Sequence, residues 1–211
     1  MSFDIRVRRR IGSADIEIVM ASGGGLTALL GPSGAGKTSI LNMVAGLLTP
    51  DEGRIAVAGT VLFDGKDGID LPPERRGAGY IFQDERLFPH LSVERNLRYG
   101  MRPEHEPWMS FEDVVGFLGI GHLLGRWPRT LSGGEARRVA IGRALLSAPR
   151  FLLMDEPLTS LDTARRGEIM QVIERLRDEL RLPILYVSHD RDEVERLATH
   201  VVRIDSADQR P

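Results

Sequence analysis

The sequence of 211 residues contains no cysteine. A disulfide framework, a thiolate metal site and a cysteine nucleophile are therefore excluded. The absence fits a reducing compartment such as the cytoplasm. Charge of neither sign dominates: 28 Lys and Arg against 30 Asp and Glu leave a formal net charge of −2. That balance gives no case for nucleic acid or an anionic membrane as the main partner. No stretch approaches the run of about 18 apolar residues that a membrane-spanning helix needs. The N-terminus, Met1-Ser2-Phe3-Asp4-Ile5-Arg6, alternates apolar and polar residues and lacks the apolar region of a signal peptide. Work at a membrane then needs a partner that holds the chain there. Repeats and low-complexity segments are also missing. What remains is an ordinary soluble composition, 42% apolar and 27% charged. The length suits one large domain or a core with a small inserted subdomain.

Hydrophobic periodicity divides the chain into three parts. Phe3, Ile5 and Val7 alternate with Asp4, Arg6 and Arg8, and Ile16, Ile18 and Met20 form a similar row, with a turn at Gly12-Ser13. Leu26–Leu30 is an apolar run of strand length. A helix is predicted from Ser39 to Leu48, stopped before Pro50, and a hairpin from Gly53 to Phe63 turning at Gly59. Tyr80-Ile81-Phe82 is a short buried strand. From about Gln83 to Pro149 the strand patterns disappear. Helices are predicted at Val93–Tyr99, Phe111–Leu118 and Ser132–Leu146, with breaks at Arg102-Pro103 and Trp127-Pro128. Alternation then returns: strands at Phe151–Asp155, Ile184–Ser188 and His200–Ile204, helices at Thr163–Leu180 and Arg191–Ala198. Ile169, Ile173, Leu176 and Leu180 make the apolar stripe of the long helix. The expected fold is α/β: a core with a parallel sheet, an antiparallel β-edge subdomain and an inserted helical subdomain. The core covers about 1–82 and 150–211, and the helical part about 83–149.

The chemistry begins at Gly31-Pro32-Ser33-Gly34-Ala35-Gly36-Lys37-Thr38, with Ser39 next in the helix. This is a phosphate loop with the required strand before it and helix after it, so the expected α/β core is a P-loop NTPase core. Glycine lets the backbone curl so that its N–H groups and the helix N-terminus meet phosphate. Lys37 is placed to reach the β- and γ-phosphates of ATP, and the Thr38 hydroxyl to bind Mg²⁺. The apolar strand Phe151-Leu152-Leu153-Met154 ends in Asp155-Glu156. Asp155 suits the Mg²⁺ side, and Glu156 suits the orientation or deprotonation of an attacking water. Leu131-Ser132-Gly133-Gly134-Glu135 offers a second phosphate site at a helix N-terminus. Ser-x-x-Glu is also a capping box, and both roles are compatible. A cap alone needs no paired glycines, which weaken a helix. One γ-phosphate has no use for two such sites in one chain. The economical reading is that Ser132, Gly133 and Gly134 serve the nucleotide of a second copy.

In order along the chain, the phosphate loop, Gln83, Leu131-Ser132-Gly133-Gly134-Glu135, Met154-Asp155-Glu156-Pro157, Ser160-Leu161-Asp162 and Ser188-His189-Asp190 resemble the motif set of ATP-binding-cassette ATPases. The resemblance covers essentially the whole chain. It implies that Gln83 links the γ-phosphate and Mg²⁺ to the helical part, that His189 bonds the γ-phosphate, and that Asp162 communicates across a homodimer formed on ATP binding. The stretches Leu71–Gly77, Phe82–Val93 and Asn96–Met101 are most similar to the ATPase subunits of bacterial molybdate importers. Phe117–Ile120 and Val139–Leu145 agree with that. The implied setting is peripheral, on the cytoplasmic face of the inner membrane. The implied partners are integral membrane permease subunits, met near Phe88, and indirectly a solute-binding protein. For Leu87-Phe88-Pro89, a small core cluster is the rival reading.

Two features depart from the family pattern. Members usually stack an aromatic on adenine near the first β-turn. Here the stretch is Arg8-Arg9-Arg10-Ile11-Gly12, leaving Arg9 or Arg10 as a stacking substitute or as part of a solvated strand end. Fuller members continue into a C-terminal oxyanion-binding regulatory domain. A form without that domain is expected here, and so is the absence of regulation through it. The alternatives are another cargo, such as sulfate, iron, polyamine or sugar, a cassette ATPase acting on DNA or ribosomes, or a regulator that binds nucleotide without hydrolysis. The lack of a long coiled-coil insertion, a tandem cassette and net basic charge speaks against nucleic acid. Asp155-Glu156 and His189 speak against a non-hydrolysing regulator.

Overall fold

The computed structural model of the chain describes residues 2–101 and 109–204. In chain order, β1 (Phe3–Ile11), β2 (Ala14–Ser22) and β3 (Leu26–Leu30) lead to α1 (Lys37–Ala45). Then come β4 (Glu52–Val57), β5 (Thr60–Asp64), β6 (Ile69–Asp70), α2 (Pro73–Arg76) and β7 (Ala78–Ile81). Next are α3 (Val93–Tyr99), α4 (Phe111–Leu118) and α5 (Gly133–Leu145), with 3-10 turns at Gly121–Leu123 and Pro128–Thr130. The chain returns through β8 (Phe151–Asp155), α6 (Thr163–Asp178), β9 (Ile184–Ser188), α7 (Arg191–Leu197) and β10 (His200–Arg203). Among the described residues, no helix is long and apolar enough to cross a membrane.

The strands form two sheets. The alternating strands β1 and β2 join β4, β5 and β6 in an antiparallel sheet in the order β2-β1-β4-β5-β6. Pairing of Ile5 with Met20 and Val7 with Ile18 puts the apolar residues of both strands on one face. The largely apolar β3, β8 and β9 join β7 and the mostly exposed β10 in a parallel sheet in the order β10-β3-β9-β8-β7. Every residue of β8 and β9 is buried, as expected where both faces of a parallel sheet are covered.

Alternate residues of these strands serve two cores. Phe151, Leu153, Leu185 and Val187 face α1 and the antiparallel sheet, with Ile40, Leu41, Phe3 and Ile5. Leu152, Met154, Ile184 and Tyr186 face the other core, with Val139, Ile141, Ile169 and Ile173. Between β7 and β8 the described residues contain no strand. Leu97, Val114, Leu118 and Ile120 of that stretch join the same core as Leu152, so its helices are packed onto the parallel sheet.

Several boundaries differ from expectation. The helix predicted over Ser39–Leu48 is Lys37–Ala45. It stops early because Gly46 turns into the left-handed region at φ +81°. Arg76 on α2 closes that end, its Nη1 donating to the carbonyls of Met43 (2.7 Å) and Val44 (3.1 Å). Phe82 lies outside β7. The long helix ends at Asp178, leaving Leu180 only half-buried. β6 and α2 carry no periodic pattern long enough to be predicted. Trp127-Pro128 leads into a 3-10 turn, and the Arg102-Pro103 break lies outside the described residues.

Candidate functional site

The loop from Gly31 to Gly36 joins β3 to α1 at the end of the parallel sheet. Gly34 and Gly36 take φ +83° and +85°, a conformation that glycine adopts without strain. Gly36 is also the residue before the first turn of α1. Lys37 is 4% exposed. Its ammonium donates to the loop's own carbonyls, Gly31 at 2.8 Å and Pro32 at 2.7 Å. Burial lowers its pKa from the ordinary lysine value, against the opposing pull of Glu156 and Asp155. An open pocket of about 450 Å³ lies over the loop, lined in part by Ser33, Gly34, Gly36, Lys37, Thr38, Ser39, Gln83 and Glu156. Gly31, Pro32 and His189 border a neighbouring pocket, and Ala35 is buried.

β8 delivers the two carboxylates to different environments. Asp155 is buried beneath the pocket, where its Oδ1 accepts from the Thr38 hydroxyl at 3.1 Å. Burial raises its pKa, the hydrogen bond from Thr38 opposes this, and the charge of Glu156 adds to the rise. Glu156 follows with φ +45°, uncommon for a side-chain-bearing residue and suited to a tight reversal. Its backbone N–H is held by the Val187 carbonyl at 3.1 Å. Its Oε1 lies 3.1 Å from His189 Nδ1, and its Oε2 accepts from the Thr159 hydroxyl at 3.1 Å. Asp155, Glu156 and His189 thus come from adjacent strand ends, as ligand sites in open parallel sheets do.

Ser132, Gly133, Gly134 and Asp162 do not line the pocket over Lys37. Ser132 caps α5 in a complete capping box: its Oγ accepts from Glu135 N–H at 3.3 Å, and Glu135 Oε2 accepts from Ser132 N–H at 2.7 Å. That backbone hydrogen bond from Ser132 is the main cause of the lowered Glu135 pKa. A Cβ on Gly133 would sit 3.2 Å from the Leu161 side chain, and one on Gly134 would sit 3.4 Å from Arg165. Flexible side chains can yield by that much, so internal packing gives only a weak reason for glycine at both positions. Asp162 caps α6 by accepting from Arg165 N–H at 3.0 Å.

Some residues that shape the site carry no sequence signal. Arg137 of α5 is 2% exposed and donates to the carbonyls of Phe82 and Gln83, both at 2.7 Å. It therefore ties the segment carrying Gln83 to the helix that begins at Gly133. Asn96 is fully buried and bonds the backbone of Phe88, Leu91 and Ser92, shaping the loop before α3. Leu87 packs on the core, whereas the Phe88 ring lies 4.4 Å from that of exposed Tyr99. For Arg8–Arg10 the solvated strand end is the reading the contacts favour. Arg9 pairs with Asp51, and neither Arg9 nor Arg10 lines the pocket. Ile11, Ala14 and Ile16 form that wall instead.

The model of the family described as ABC transporter matches residues 19–159. The molybdenum import ATP-binding protein ModC of Brucella abortus (strain 2308) is 60% identical over 199 residues, covering 94% of this chain and 55% of the relative. That of Paramagnetospirillum magneticum is 55% identical over 204 residues, covering 96% and 56%. The chain spans about half the length of these curated relatives. Among solved structures, cbiO1 from Clostridium perfringens, described as part of the ABC transporter complex cbiONQ, superposes with a TM-score of 0.81 at 26% identity, covering 96% of this chain and 84% of its own. The dimeric ATP-binding cassette MJ0796, described as bound to ADP and Pi, gives a TM-score of 0.76 at 23% identity, covering 99% and 96%. With its phosphate loop, paired carboxylates and parallel sheet in this arrangement, the chain belongs to the ABC transporter family and has the fold of its ATP-binding cassettes.

Proposed function

We propose that the chain is the ATP-hydrolysing subunit of an importer, driving uptake of molybdate or a related oxyanion through a separate membrane permease. The observation that carries hydrolysis is Glu156, held between His189 and Thr159 at the edge of the pocket that also holds Lys37. Similarity to the ModC proteins favours the cargo.

Lys37 exchanges its two carbonyl partners for the β- and γ-phosphates of ATP, over the loop Gly31–Thr38 and Ser39. The Thr38 hydroxyl and Gln83, which line the pocket, and the Asp155 carboxylate bonded to Thr38 offer hard oxygen donors. Among the described residues no group of three or more His, Cys, Asp or Glu could hold a metal ion. One carboxylate with neutral oxygens and phosphate is a set that suits Mg²⁺. When bound, Mg²⁺ neutralises charge on the phosphate oxygens. Glu156 orients the attacking water and accepts its proton, and His189 bonds the γ-phosphate. Ser132, Gly133 and Gly134, absent from the pocket of their own chain, meet the nucleotide of a second copy, with Asp162 beside the contact. Closure of this homodimer on ATP and its reopening after hydrolysis move permease subunits docked near Phe88. A solute-binding protein supplies them with cargo, and the chain works at the cytoplasmic face of the membrane.

Reconstitution with the permease in proteoliposomes tests the reading. The wild type hydrolyses ATP and takes up molybdate. Glu156→Gln keeps its ATP affinity, loses turnover by about 100-fold or more and takes up none. Near-wild-type turnover in Glu156→Gln sinks the assignment of the base. ATP-driven uptake of a different solute, and not molybdate, sinks the cargo.

A further inference from the structure

Glu193 is 5% exposed and takes no part in the nucleotide site proposed above. It lies on α7, and both carboxylate oxygens are engaged. Oε2 accepts from the Tyr186 and Ser188 hydroxyls, each at 2.8 Å. Oε1 accepts from Arg166 through Nε at 3.0 Å and through Nη2. These bonds nearly exhaust what a carboxylate can accept. A carboxylate buried for packing alone is a poor choice, since an apolar side chain of similar size usually does as well or better. Nor is Glu193 needed to start α7, because Asp190 Oδ1 already accepts from the N–H groups of Asp192 (2.9 Å) and Glu193 (3.3 Å).

The network converges on the loop that presents His189. Ser188 Oγ donates to Glu193 and accepts from Asp190 N–H at 3.0 Å. Asp190 Oδ2 accepts from Arg166 Nη2 at 2.6 Å. Both chain neighbours of His189 are thereby fixed. The His189 ring is left half-exposed, 3.1 Å from Glu156 Oε1. Arg166 belongs to the first turn of α6, where its N–H bonds the Asp162 carbonyl at 2.8 Å.

We infer that Glu193 is a positioning residue for His189: with Arg166 it holds the 188–190 loop so that His189 stays against Glu156, and it ties that loop to the start of α6 at Asp162. The catalytic consequence rests on the function proposed above. The placement of the ring does not.

Glu193→Gln in the full chain tests the inference. It keeps the shape of the side chain but puts an N–H₂ where an oxygen accepted. The expected result is a kcat lower by about 10-fold or more, with KM for ATP within about twofold of wild type. In the nucleotide-free protein the His189 ring resonances shift, and they shift in the same direction in Tyr186→Phe, which removes one donor to Glu193 and serves alone where Glu193→Gln fails to fold. The double variant Glu193→Gln/His189→Ala is no slower than His189→Ala, because Glu193 acts through His189. Unshifted His189 resonances, or a further loss of kcat by the same factor in the His189→Ala background, overturn the inference. A wild-type chain without ATPase activity overturns the proposed function instead, and the resonance measurement still decides the positioning.

Discussion

Lys37 and Asp155 are both nearly fully buried beside the phosphate loop, and burial works against the charge of each. Thr38 and Lys37 only partly offset this for Asp155, whose pKa is raised from 3.8. A carboxyl raised on folding binds its proton more tightly in the folded state. Its contribution to stability is fully present below the unfolded value and is lost as pH rises through the folded one. Once ionised, Asp155 therefore destabilises the nucleotide-free fold relative to its protonated form. Asp155→Asn is expected to raise the thermal midpoint of the nucleotide-free chain at neutral pH, with less gain as pH approaches the ordinary carboxylate value, and to abolish hydrolysis. Scanning fluorimetry across pH, beside an ATPase assay, checks this. A lower midpoint at neutral pH would mean that the Thr38 and Lys37 contacts outweigh burial. At this scale the sequence was most legible where a motif dictates a residue type, as at Lys37 and Glu156. Glu193, Arg137 and Arg76 were not legible, because nothing in the sequence near a buried charge names its partner.

Elements bounded by local signals emerged where the periodicity placed them. α3 and α4 begin at Ser92 and Ser110, whose hydroxyls accept from the third N–H of the helix, and α4 ends at Gly119 in the left-handed region. α1 did not end where its apolar pattern ends. Its C-terminus is set by Gly46 and by Arg76, which also donates to the Leu71 carbonyl (2.6 Å) and pairs with Asp70 (2.7 Å). The same arginine joins β6 and α2 to α1, so these short elements depend on a contact that no local pattern announces. Removing it takes the guanidinium donor from the Val44 carbonyl and leaves the Met43 carbonyl with only the Gly46 N–H at 3.3 Å. Arg76→Ala is expected to cost about 2–4 kcal/mol of stability, read as a lower urea midpoint. Arg76→Lys restores little of it, since a single ammonium cannot span the positions that the guanidinium fork reaches. Full restoration by lysine would assign the effect to charge alone.

For the whole molecule the central question is where Ser132, Gly133 and Gly134 act. They stand outside the pocket over Lys37 in their own chain, and two-fold pairing of identical chains is the simple way to bring the two halves together. Lys37→Ala and Ser132→Arg chains, each inactive alone, are then expected to regain hydrolysis when mixed. A mixed dimer has one site with both halves intact, so random pairing restores about a quarter of the wild-type sites. If Ser132 instead serves its own chain's nucleotide, the mixture stays inactive. The sequence by itself determined the types of the strands and helices other than β6 and α2, the phosphate loop and the order of the motifs. Those features depend on side-chain alternation, caps and turns that act within a few residues. Only the tertiary structure decided that Gln83 and Glu156 share a pocket with Lys37, that aliphatic side chains rather than Arg9 or Arg10 wall it, and that Ser132 faces elsewhere. It also revealed the buried charges that brace the site, such as Arg137, whose carbonyl partners Phe82 and Gln83 lie 55 and 54 positions away in the chain. A charge withdrawn from water must find its partner wherever the fold supplies one, and that choice is made across the folded core.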